Sequence, residues 1–248
     1  MPRVGLFIPC YVDQLAPAVG LATVTVLERA GCEVDYDPDQ TCCGQPFLNL
    51  GLAAEAARLA RRHLERFCRY DAVVCPSASC VATVRRHYEA LEVGDDDAGR
   101  RARERTFELS EFLAGELGMP PLGARFPHRV ALLQSCHGLR ELGLGHPSES
   151  TAPASMGATE RVLRAVEGLE LVFASRPDEC CGFGGAFSVE FPEVSGRIGR
   201  ARLTDLAATG AAFVTATDAS CLLHLDGIRR RQGSGPEAIH LAEILASR

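Results

Sequence analysis

Short apolar runs alternate with longer amphipathic stretches along this chain, and the alternation occurs twice. In the first half the pattern predicts a strand over 4–9, a helix over 14–30, a strand over 33–36 and a helix over 52–67. A strand over 72–75 then leads into a helix opening at Cys80. In the second half it predicts a strand over 130–133, a helix over 158–166, a strand over 169–173 and a helix over 192–208. A strand over 212–216 then leads into a helix opening at Cys221. Strands alternating with helices of this length imply βαβ units and a mainly parallel sheet. The expected fold class is therefore α/β, with two pseudo-symmetric βαβ-type repeats. The first spans 1–106 and includes a charge-dense stretch near 92–105 that reads as a surface linker or an exposed helix end; the second spans 107–248. The second repeat is the longer, and its extra length falls in the Gly/Pro/Ser-rich stretch 143–157, where an insertion is cheap.

Composition narrows the class. The chain has 248 residues, 46% hydrophobic and 23% charged, the balance of a globular protein. No apolar run reaches 18 residues, so no membrane span is expected. The N-terminal residues lack the apolar segment of a signal peptide, which points to the cytoplasm. A net charge of −6 argues against nucleic acid as a partner. The arginine clusters at 61–62, 85–86 and 229–231 fall on predicted helices and read as solvated faces. Eleven cysteines is a high count, and an odd one. In a reducing compartment it points to metal binding or redox chemistry, not to a disulfide framework.

The cysteines carry the candidate chemistry. Cys10, then Cys42-Cys43-Gly44, then Cys80 form one set; Cys136, then Cys180-Cys181-Gly182, then Cys221 form the other. Each block lies just past the C-terminal end of a predicted strand, the edge where open α/β sheets bind ligands. The helices that follow aim their N-termini at the same edge, which favours thiolates. Adjacent side chains of an extended chain point to opposite faces. Two sulfurs facing one site therefore need a sharp turn, which Gly44 and Gly182 permit. Soft thiolates select iron–sulfur clusters, zinc or copper. Ligands arriving as one, two and one over long spacings are unlike the paired Cys-x-x-Cys of a zinc knuckle. Three readings follow: an iron–sulfur redox subunit, thiol–disulfide chemistry at the paired cysteines, or a zinc-binding scaffold.

Several longer blocks carry a family likeness: Phe7-Ile8-Pro9-Cys10, Cys42-Cys43-Gly44-Gln45-Pro46, Pro76-Ser77-Ala78-Ser79-Cys80, Ser135-Cys136-His137, Cys180 through Val189, and Asp218-Ala219-Ser220-Cys221-Leu222-Leu223. With them the chain resembles the cysteine-rich CCG-domain proteins, which include the heterodisulfide reductase B subunit and the glycolate oxidase iron–sulfur subunit. Within these it is most similar to the lactate-utilisation protein A subfamily. The resemblance implies an oxidoreductase subunit carrying one or two iron–sulfur clusters of 4Fe-4S type. The ligands would be Cys10, Cys42, Cys43, Cys80, Cys136, Cys180, Cys181 and Cys221. It also implies a role in oxidising L-lactate or a similar 2-hydroxy acid. The implied partners are a larger ferredoxin-like iron–sulfur subunit and a third small subunit. The wider family ends each repeat with Cys-x-x-Cys, whereas this chain has Ser77 and Asp218 at the first of those positions, leaving four thiols per set.

The remaining candidates have plainer readings. Cys32 and Cys68 read as small apolar residues and Cys75 as the close of a strand. His137 and His224 read as positioning or packing residues. Asp218 reads as a helix N-cap, and Ser77 as a cap or a weak oxygen ligand. Gly182, Gly184 and Gly185 miss the Gly-x-Gly-x-x-Gly spacing of a dinucleotide loop.

Overall fold

The computed structural model describes residues 2–151 and 155–248; Met1 and residues 152–154, the latter inside the expected insertion, lie outside the described residues. The chain divides into two units, Met1–Pro121 and Leu122–Arg248. The first holds strands β1 (Arg3–Leu6), β2 (Glu33–Tyr36), β3 (Ala72–Cys75) and β4 (Thr106–Glu108), in the order β2-β1-β3-β4. The second holds β5 (Arg129–Leu132), β6 (Glu170–Val172), β7 (Phe213–Thr215) and β8 (Glu237–Ala238), in the order β6-β5-β7-β8. Every pairing is parallel: Val4 faces Val34 on one side and Ala72 on the other, and Val130 likewise faces Leu171 and Phe213. The α/β expectation holds, twice over.

The division does not follow residue 106. Thr106 and Phe107 pair with Val73 and Val74, so β4 closes the first sheet and the boundary moves to Pro121. Of the two expectations for the charged segment, a surface linker or a helix end, the helix is found: Asp97–Glu104, which buries Gly99, Ala102 and Arg103. The long first helix is interrupted at Ala16, giving Cys10–Leu15 and Pro17–Arg29, because Pro17 starts a new helix at its first position.

Packing explains why these segments form. The central strands β1, β3 and β5 are buried beyond their first residue. The helix Ala53–Phe67 turns Ala56, Ala57, Ala60, His63, Leu64 and Phe67 inward, a stripe at helical spacing, while Arg58, Arg61 and Arg62 stay outside. The second core gathers Ala131, Leu133, Leu203, Leu206, Val214 and Leu225. Arg229 and Arg230 pair with Asp226 on their own helix, in keeping with a solvated face. Among the described residues no helix is long and apolar enough to cross a membrane.

Each unit ends its last strand in a capping box: Glu108 with Glu111, and His240 with Glu243. Glu108 is wholly buried; one carboxylate oxygen accepts from the Ser110 and Glu111 N–H groups and the Ser110 hydroxyl, and the other has no partner. Burial pushes its carboxyl up from 4.5 to about 8, against those hydrogen bonds. Between these values the unfolded chain has lost the proton and the folded chain still holds it. Stability therefore falls as pH rises through that window, by at most about 5 kcal/mol at 1.36 kcal/mol per unit. In denaturant melts at pH 5.5 and 8, Glu108→Gln should show a much smaller loss than the parent. Equal losses would show that Glu108 does not set the slope.

Candidate functional site

Each cysteine set converges at the C-terminal edge of its own sheet. In the first unit Cys10 opens the helix after β1, Cys42 and Cys43 follow β2, and Cys80 lies in the helix after β3. The Sγ atoms of Cys10 and Cys42 are 3.7 Å apart and those of Cys43 and Cys80 are 3.6 Å apart. In the second unit Cys181 Sγ lies 2.9 Å from Cys221 Sγ, and the neighbouring Cys180 pushes the Cys136 thiol up. Thiols far apart in the chain are thus brought into contact. In each strand order β1 or β5 is the switch point, where chain connections leave in opposite directions and a crevice opens.

Glycine makes the double-cysteine turn possible. Gly44 and Gly182 adopt φ of +90° and +88°, a left-handed conformation that side chains disfavour. A Cβ on Gly44 would stand 3.2 Å from the Ala56 carbonyl, and one on Gly182 only 2.7 Å from that of Ser195. The turn is thereby pressed against the following helix. Its next N–H points at sulfur: Gly44 N donates to Cys42 at 3.4 Å and Gly182 N to Cys180 at 3.3 Å. Ser195 Oγ donates to the Gly182 carbonyl and Tyr88 Oη to the Cys43 carbonyl, fixing the turn from behind.

These contacts select one thiolate per site. Hydrogen bonds from Cys10, Cys43 and the Gly44 N–H hold Cys42 at about 3. Hydrogen bonds from Cys136, Cys181 and the Gly182 N–H, with His137 nearby, hold Cys180 at about 2. Their partners Cys10, Cys43, Cys136 and Cys181 are pushed up, first by donating to or bridging that thiolate and then by burial. The two thiolates are also the more accessible members of their pairs, since Cys43 and Cys181 are buried.

The loops carrying the double cysteines are latched with exchanged charges. In the first unit the loop supplies the acid: Asp37 accepts from its own turn at Asp39 N and from Arg66 on the helix Ala53–Phe67 at 3.0 Å. Gln40 ties the same loop to β1, donating to the Leu6 carbonyl and accepting from Ile8 N at 2.7 Å. In the second unit the helix Pro192–Ala207 supplies it: Asp205 accepts from Ser175 N and Arg176 N, both at 3.1 Å. Arg202, fully buried, bridges Asp205 to the carbonyls of Arg176 and Pro177. In the first unit His63 is instead buried among Phe7, Phe67 and Tyr88, and burial drives its imidazole down to about 3.

Other expected residues fall as follows. Ser77 is a cap, accepting from Cys80 N. Asp218 occupies the N-cap position of Ala219–Gln232 but makes no side-chain cap bond. His137 sits 3.6 Å from Cys136 Sγ and also 3.6 Å from Glu141, at the edge of the second site. His224 stands behind the second turn, 3.5 Å from Ser195 Oγ and against Phe183. Cys32 is buried as expected, but Cys68 is exposed and donates to the Glu65 carbonyl at 3.6 Å. Cys75 closes β3 as expected and is wholly buried.

The donor chemistry suits a soft, polynuclear group, since chains of thiols meet at a glycine turn with inward N–H donors. Among the described residues no group of three or more His, Cys, Asp or Glu side chains is placed to hold a metal ion. Family comparison agrees with the repeat: the Cysteine-rich domain, CCG, matches residues 4–85 and 130–226, the segments that hold the two sets. The chain belongs to the CCG cysteine-rich domain family. Within that family it is similar to "Lactate utilization protein A" of Macrococcus caseolyticus (strain JCSC5402), 39% identical over 246 residues, or 98% of this chain and 96% of the relative. The same protein of Exiguobacterium sp. (strain ATCC BAA-1283 / AT1b) is 38% identical, covering 99% and 97%. That of Oceanobacillus iheyensis is 35% identical, covering 98% and 96%.

Proposed function

We propose that this chain is an iron–sulfur subunit of a cytoplasmic lactate-utilisation system, passing electrons from a 2-hydroxy acid to partner clusters. The observation that carries the reading is the meeting of a Cys, Cys-Cys-Gly, Cys set at each sheet edge. The substrate comes from the relatives' name, Lactate utilization protein A. In this reading Cys10, Cys42, Cys43 and Cys80 hold one group and Cys136, Cys180, Cys181 and Cys221 the other. A bound iron–sulfur group supplies reversible one-electron storage. The chain's part is to hold it: Gly44 and Gly182 give it backbone clearance, and their N–H groups donate to sulfur, which raises the potential. The low-lying Cys42 and Cys180 are thiolates ready to ligate at neutral pH. The partners we assign are a larger ferredoxin-like subunit and a third small subunit, which would receive the electrons.

Protein purified without oxygen should be brown, absorb broadly near ~400 nm and contain iron and acid-labile sulfide. A colourless chain with stoichiometric zinc and no iron after anaerobic reconstitution would sink the reading. The 2.9 Å approach of Cys181 to Cys221 favours one alternative, thiol–disulfide chemistry. That alternative predicts exchange with an added disulfide, abolished in Cys181→Ser.

A further inference from the structure

Four arginines of the first unit line one cavity. Arg85, Arg86, Arg100 and Arg103, with Glu89 and Glu104, enclose about 310 Å³ beside the helices Thr83–His87 and Asp97–Glu104. Two of these arginines are already neutralised: Arg85 pairs with Glu111 at 2.8 Å, and Arg100 pairs with Asp97 on its own helix. Arg103 is not. It is only 7% exposed, its Nε–H is buried without a hydrogen-bond partner, and among the described residues no carboxylate pairs with it. A guanidinium is almost never buried unpaired, because the charge gives up its water and gains nothing in return. Arg202, also buried, shows the usual arrangement, with Asp205 and two carbonyls taking its donors.

The second unit builds no such wall. Five residues after the last cysteine of its set it has Asp226 where the first unit has Arg85, and Asp226 pairs with Arg229 and Arg230. From the helix Ala219–Gln232 the chain reaches β8 through residues 233–236 alone, whereas the first unit inserts the helix Asp97–Glu104 before β4. A fourth parallel strand therefore forms without that helix, and the arginines it brings are additional to what the repeat needs. None of the lining residues belongs to either cysteine set.

We propose that this cavity binds a small molecule bearing a carboxylate or phosphate group, seated on the Arg103 guanidinium and flanked by Arg86 and Arg100. The planar fork of arginine matches the paired oxygens of both groups. Four arginines against two glutamates leave the wall net positive. The volume stands at the small end of ligand pockets, which suits a compact metabolite and excludes a peptide.

Calorimetric titration of the full chain with inorganic phosphate and with citrate, at an ionic strength held constant with sodium chloride, tests the site. At least one of the two should bind with Kd below about 1 mM. Binding of phosphate alone assigns the site to phosphate esters, of citrate alone to carboxylates, and of both to oxyanions at large; each supports it. Arg103→Met keeps the apolar stem and removes the charge. It should weaken binding at least about tenfold, the loss of one charge-assisted hydrogen bond. The ligand-free variant should melt no lower than the parent, since it breaks no ion pair, a result that a purely structural arginine would not give. If Arg103→Met fails to fold, Arg86→Gln at the exposed rim should weaken binding about threefold. Failure of both anions to bind, or binding that neither variant alters, would overturn the proposal.

Discussion

Cys181→Ser protein reconstituted without oxygen is expected to carry roughly half the iron and sulfide of the parent, and Cys43→Ser/Cys181→Ser almost none. Cys181 is the central link of the second set, touching Cys180 on one side and Cys221 on the other. Cys43 plays the same part in the first, between Cys42 and Cys80. Serine keeps the shape and the hydrogen bond, so the fold should survive. A hydroxyl, however, is a hard donor that stays protonated at neutral pH, and it cannot replace a thiolate on a soft metal. Because the sets lie on separate sheets, the losses should add. The single variants should each leave one EPR signal, and the two signals should sum to that of the parent. A double variant that keeps its colour and iron would mean that the group is held elsewhere.

Arg202→Ala is expected to be the most damaging change away from the cysteines. The guanidinium is fully buried and joins Asp205 to two backbone carbonyls of the loop before Cys180. Its removal leaves a buried carboxylate short of its countercharge and strips two carbonyls of donors. Breaking one side of such a pair costs about 3–5 kcal/mol. A denaturant melt should show the loss in the second unit, and Asp205→Asn should be milder, because the amide oxygen can still accept from Ser175 and Arg176. The loop also presents Cys180 to Cys136, so the reconstituted variant should lose iron from the second site first. A change under about 1 kcal/mol would show that the latch is ornamental.

Much of this was legible along the chain. The strands at 33–36 and 72–75 appear at the predicted residues, because short valine-bearing segments bounded by Gly31 and Pro38, and by Asp71 and Pro76, leave little choice. The helix after each double cysteine was equally plain, from its apolar stripe and, in the second unit, from Pro192 at its first position. The fourth strand of each sheet was not. Thr106–Glu108 and Glu237–Ala238 are too short to show a period and gain their pairing only from a neighbour already in place. The first of them moved the boundary between the units from residue 106 to Pro121. Cys68 was misjudged for the related reason that nothing local says which face of a helix end is covered.

The sequence by itself determined the repeat, the parallel α/β class, and the eight cysteines with their two glycine turns. Those features follow from residue type and spacing, which survive whatever the chain packs against. Tertiary structure alone decided which sulfurs touch and which one of each set is the thiolate. Contacts between residues so far apart in the chain depend on strand order and register. A thiol's acidity depends on the donors around it. The twice-used cysteine pattern is therefore a property of the sequence, and the meeting of its sulfurs is a property of the fold.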